Sequence, residues 1–121
     1  MESHPIIDTA RDLQALISEH LEAGERRARL APEVVSAAGE AGLFRLFAPR
    51  EAGGLEVSLP VALTVVEIVG AADPAVGWYM INSMRPSLAT AMCRRRSAPS
   101  CLRNPIGILA IHHCRVARPR R

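Results

Sequence analysis

The stretch "LPVALTVVEIVGAADPAVGWYMI", Leu59 to Ile81, decides the fold. Its first part, Leu59 to Ala72, is the most apolar run of the chain. It is too short to span a bilayer and holds Glu67, so it reads as a helix of a folded domain. Ser58 stands where a helix cap belongs. Only Thr64 and Glu67 interrupt the apolar surface, and a helix apolar on all sides is expected to be buried on all sides. Few other helices are available to cover it, so it points to further protein packed against this one. Asp73-Pro74 then gives a cap followed by proline at the first helical position, which starts a fourth helix carrying Gly77 to Ser83.

Upstream of this stretch, Pro32 opens a second helix whose inner face is Val34, Val35, Ala38 and Ala41. Gly42 ends it, because a residue that tolerates positive φ suits a helix C-terminus. "LFRLFAP", Leu43 to Pro49, is too short for a capped helix and reads as a packed turn. "PREAGGLEVS" is a loop punctuated by Pro49, Gly53 and Gly54. Earlier still, Asp8 is the expected cap of a first helix from Thr9 to about Leu30. Leu13, Leu16, Ile17 and Leu21 form its buried stripe. Glu22 with Arg26 and Glu25 with Arg29 stand in the favourable order for surface pairs. Downstream, Pro86 falls inside the fourth helix, where it removes a hydrogen bond and crowds the carbonyl of Asn82. The helical period stops beyond Met92.

The expectation is therefore an all-α chain: a four-helix domain over residues 1–92 and an irregular basic tail over 93–121. Its 121 residues suffice for one small core, and 49% of them are apolar, too many for a disordered polymer. All fifteen basic residues are arginine. Residues 1–92 carry seven arginines against twelve acids, net −5, and residues 93–121 carry eight arginines and no acid, net +8. Such an asymmetry marks a tail or a second unit. The N-terminus has no basic-then-apolar signal pattern, so a soluble, cytoplasmic chain is expected.

The tail invites two functional readings, and both are set aside. Cys93, Cys101, His112, His113 and Cys114 lack the short paired spacing that lets a turn present zinc ligands together. The arginines lack interleaved aromatics or a helical stripe, so non-specific electrostatics is expected and specific nucleic-acid recognition is not. Elsewhere, Gly53 and Gly54 read as turn residues, not a phosphate cradle. The histidines, His4, His20, His112 and His113, are too scattered to build a hydrolytic triad.

From Ala31 onward, "APEVVSAAGEAGLFRLFAPREAGGLEVSLPVALTVVEIVGAADPAVGWYMI" resembles the N-terminal helical domain of the acyl-CoA dehydrogenase family. The ordered series carries the likeness: the Pro-Glu-Val-Val start, the Ala-Gly-Leu-Phe-Arg-Leu turn, the double glycine and the "ADPAVGW" junction. The resemblance implies a flavoprotein built from this domain, a β-barrel and a C-terminal helical bundle, with FAD mainly between the last two. It implies α,β-dehydrogenation of an acyl-CoA thioester: a glutamate takes the α-proton, the flavin accepts the β-hydride, and an electron-transfer flavoprotein takes the electrons. It also implies a homo-oligomer. The "VGW" variant is similar to flavin-dependent monooxygenases of the same fold, the alternative enzyme reading. A non-catalytic helical interaction module is the alternative from another class.

No residue here matches the family's catalytic glutamate or its flavin-binding segments, so none is assigned. The helix carrying Trp78 helps wall the family's substrate pocket, which makes Trp78, Asn82 and Ser83 the pocket candidates. The competing reading of Trp78 is a core residue, because a large ring normally dominates a small core. "NPIGILA", Asn104 to Ala110, looks like the family's lead into the barrel, but residues 93–103 and 111–121 do not. They read as out-of-frame translation, with a real basic tail as the alternative, and the chain reads as a truncated domain prone to self-association and inactive alone.

Overall fold

A computed structural model describes residues 4–92 of the chain. They form four α-helices: α1, Pro5–Arg27; α2, Pro32–Glu40; α3, Leu59–Ala72; and α4, Pro74–Met92. Two short 3-10 turns, Leu43–Arg45 and Arg50–Ala52, lie between α2 and α3, and the described residues contain no strand. The all-α expectation holds. The tail beyond Met92, with its three cysteines, His112, His113 and eight arginines, lies outside the described residues.

The first helix starts a turn earlier than the sequence reading placed it. His4, not Asp8, is the cap: its Nδ1 accepts the Ile6 N–H at 3.2 Å, and Pro5 takes the first helical position. Proline there needs no donor, and its fixed φ suits the helix. The added turn buries Ile6 and Ile7. Asp8 falls within it, near the positive end of the helix dipole, and pairs with Arg11 at 3.1 Å on an exposed face. The helix also ends earlier, at Arg27. Ala28 turns left-handed at φ 48, and the Arg29 N–H bonds back to the Gly24 carbonyl at 3.1 Å. A Cβ at Gly24 would press within 3.2 Å of the Arg29 carbonyl, so glycine admits this turn. With Arg29 beyond the helix, the Glu22–Arg26 pair forms, at 3.8 Å, and the Glu25–Arg29 pair does not.

Helix α2 starts at Pro32 as read, buries Val34 and Ala38, and gives way to Gly42 at φ 81. The packed turn sends Leu43, Phe44, Leu46 and Ala48 fully into the core. The chain then doubles back on itself. Leu55 and Val57 donate to the Arg45 and Leu46 carbonyls at 3.0 and 2.9 Å, and Glu56 donates to the Ala48 carbonyl at 3.1 Å.

Helix α3 matches the expected span but not the expected burial. Val61, Ala62, Val65 and Val69 are buried, whereas Leu59 and Leu63 are 60% and 58% exposed. Helix α1 covers one side of α3 and α4 another, and the third faces outward. Ser58 stands at the N-terminus of α3 but makes no capping bond to the helix backbone. Pro60, at the second helical position, removes one of the two N–H groups such a cap can take. On its covered side, Gln14 Nε2 donates to the Ile68 carbonyl at 2.9 Å, tying α1 to α3. Buried Asp73 ends α3 and starts α4, its Oδ1 accepting the Ala75 N–H at 2.7 Å. Gly77 packs on Gly70, where a Cβ would come within 3.0 Å of the Gly70 Cα, so the two helices cross closely. Helix α4 continues through Pro86 to Met92.

Candidate functional site

Helix α4 has two unlike sides. Inward, Val76, Met80, Ser83 and Met84 are buried. The half-buried Tyr79 meets Phe44 edge-on, with ring centroids 5.1 Å apart and planes at 73°. Burial pushes the Tyr79 phenol above its ordinary pKa. Outward, Trp78, Ile81, Asn82 and Arg85 are exposed. Spacings of three, four and seven residues put these four on one stripe.

Trp78 is 67% exposed, so the core reading of this residue fails. The largest fully buried side chains are instead Phe44, Ile17, Leu43, Leu46 and Met80. Asn82 stands one turn further on, its Nδ2 donating to the Trp78 carbonyl at 2.9 Å. The structure therefore brings Trp78 and Asn82 together. Ser83 belongs to the inner side, 1% exposed, with its hydroxyl donating to the Met80 carbonyl at 2.6 Å. Ile81 completes the outward stripe and was missed in the sequence. The available signal was its spacing of three from Trp78.

A second surface feature lies on the other flank of α4. An open groove of about 700 Å³ runs between α2 and α4, lined among others by Arg29, Val35, Gly39, Glu40 and Tyr79. Nothing in the sequence marks it, because only packing brings Tyr79 of α4 against the segment from Arg29 to Glu40.

The described residues do not amount to a flavin site. The "AGG" turn cannot cradle phosphate, because its amides are engaged: Gly53 N–H with the Arg50 carbonyl and Gly54 N–H with the Pro49 carbonyl, both at 3.0 Å. A Cβ at Gly54 would overlap the Ala48 carbonyl oxygen, so close backbone approach explains this glycine. Trp78 offers one exposed apolar face, and a flavin needs several walls and phosphate donors converging. His4 and His20 serve locally: His4 caps α1, and His20 Nδ1 lies 2.9 Å from the Leu16 carbonyl. Among the described residues no three metal-ligating side chains come together, and no helix is long and apolar enough to cross a membrane.

A family model described as the acyl-CoA dehydrogenase N-terminal domain matches residues 2–95. No curated protein and no solved structure matches the chain. The match takes in all four helices, the folded-back loop and the Asp73 junction, so by sequence and by all-helical architecture alike the chain belongs to the acyl-CoA dehydrogenase family.

Proposed function

We propose that the chain supplies one wall of an FAD-dependent acyl-CoA dehydrogenase, and that the wall is the outward stripe of α4. Trp78 and Ile81 give it an apolar surface for an acyl chain, and Asn82 a polar edge. Ser83 stands behind it and holds the helix backbone. The observation that carries this reading is Trp78: the only tryptophan of the chain is two-thirds exposed on a helix that buries its other side. A large aromatic left in water beside a second apolar residue marks a contact surface. In this reading FAD, the catalytic base and the electron-transfer flavoprotein contact belong to other parts of the family fold. Residues 93–103 and 111–121 are then segments translated out of frame, and the chain alone is inactive.

The test joins residues 1–92 to the barrel and bundle of an acyl-CoA dehydrogenase. The expected product retains FAD through desalting, and acyl-CoA bleaches its absorbance without oxygen. The chain alone retains none. Flavin that acyl-CoA leaves oxidised, but that supports oxygen-dependent hydroxylation of an aromatic substrate, would replace this reading with a monooxygenase. A hybrid that folds and binds no flavin would favour an interaction module. Trp78→Ala in the hybrid should raise KM for acyl-CoA more than it lowers kcat, as loss of binding surface does.

A further inference from the structure

Among the described residues the large apolar side chains left in water are Leu59, Leu63, Trp78 and Ile81, and all four stand on α3 and α4. They border one seam. Gly77 of α4 packs on Gly70 of α3. Leu63 lies seven residues before Gly70 and Ile81 four residues after Gly77, so helical spacing puts both on the seam side of their helices. Leu59 and Trp78 extend the surface, four residues from Leu63 and three from Ile81. Charge is divided along the same line. Residues 1–58 carry six arginines against ten acids, net −4, and residues 59–121 carry nine arginines against two acids, net +7. Of those two acids Asp73 is buried at the helix junction, which leaves Glu67 exposed. Arg85 is the only charged residue of α4 and has no ion-pair partner among the described residues. Eight more arginines follow the helix between Arg94 and Arg121.

A nucleic acid would match the arginines and leave the four apolar side chains in water. An apolar protein partner would cover those side chains and leave the arginines unmatched. A bilayer with anionic headgroups answers both, because apolar groups enter the acyl boundary while cations meet the phosphates. Trp78 suits that boundary, since an indole is apolar in body and carries one polar N–H. Arg85 can lay its aliphatic stem along the surface and keep its guanidinium at headgroup level. We propose that the outward faces of α3 and α4, with the arginines that follow them, form a peripheral docking surface for an anionic phospholipid bilayer. The helices lie along the surface, and the apolar side chains alone enter it. A shallow apolar contact and a polybasic segment are each weak anchors, and together they hold. The proposal rests on the residues the chain carries, in whichever frame the tail was translated. It does not depend on the dehydrogenase reading, in which the stripe of α4 faces substrate.

Flotation of the full chain with vesicles of phosphatidylcholine, alone or mixed with phosphatidylglycerol, tests it, with the single tryptophan as the reporter of contact. The mixed vesicles should capture the chain, shift Trp78 emission to the blue and shield it from acrylamide. Phosphatidylcholine alone should capture far less, and added salt should weaken capture by the mixed vesicles. Leu63→Ser combined with Ile81→Ser should weaken binding about tenfold, while circular dichroism stays that of the wild type. No capture by the mixed vesicles, or equal capture by both kinds, would overturn the proposal. Capture that leaves Trp78 emission and the double variant's affinity unchanged would also overturn it, because the arginines alone would then be binding. So would duplex DNA that shifts Trp78 emission as far as the vesicles do, which would assign the surface to nucleic acid.

Discussion

The folded-back loop from Leu43 to Val57 and the outward stripe of α4 both lie within the family match, yet they are built on opposite terms. In the loop the apolar side chains and much of the backbone are committed. Leu43, Phe44, Leu46 and Ala48 have no exposed surface, the backbone pairs with itself from Arg45 to Val57, and Gly42, Gly53 and Gly54 occupy places a side chain would strain or block. The stripe of Trp78, Ile81, Asn82 and Arg85 commits almost nothing; one amide-to-carbonyl bond is its internal contact. The loop is determined by the domain's own stability. The stripe costs the domain apolar exposure, and the packing of the described residues does not account for it.

The largest expected effect breaks the loop side of this comparison. Gly54→Ala drives a methyl group into the Ala48 carbonyl, which is backbone and held by Glu56 N–H. The loop must open, at a cost of about 2 kcal/mol or more, a large share of the stability of so small a domain. Urea unfolding followed by circular dichroism would show it, and an unchanged midpoint would mean that the loop is not pinned there.

A middle-sized effect lies where loop and helix meet, at the Phe44–Tyr79 contact. The folded state holds the Tyr79 phenol above its ordinary pKa by desolvation, so folding favours the neutral form. That contribution is complete below the unfolded value of about 10 and is lost as pH rises through the higher folded value. The chain has no lysine and one tyrosine, so few other groups titrate there. The melting temperature should fall above about pH 10 in the wild type and much less in Tyr79→Phe. Equal alkaline slopes would sever this link.

The smallest effect belongs to the stripe. Trp78→Ala should change stability by less than about 0.5 kcal/mol, because an exposed ring leaves no cavity. Before substitution, the single indole should emit as a water-exposed chromophore and be readily quenched by acrylamide. Blue-shifted, protected emission from the monomer would show that the stripe is covered and that the contrast with the loop is false.

The sequence by itself settled what local rules govern. Repeating apolar spacing marked the helices, Pro32 and Pro74 located two helix starts, and the ordered motifs from Ala31 to Ile81 pointed to the family. The bounds of α3 followed from its apolar run and from Asp73. Tertiary structure decided what depends on neighbours distant in the chain. Helix α1 takes its cap from His4 because the added turn buries Ile6 and Ile7, a gain invisible in the spacing alone. Helix α3 is apolar on nearly all sides, but only packing shows that α1 and α4 cover two of them and leave Leu59 and Leu63 in water. Trp78 and Phe44 are both large aromatics, and no local rule says which enters the core. Phe44 enters because the turn after Gly42 points it between α2 and α4, and Trp78 stays out because the close approach of Gly70 to Gly77 fixes how α4 is rotated. Periodicity tells which residues share a face, and only the assembled bundle determines which face meets protein and which meets solvent.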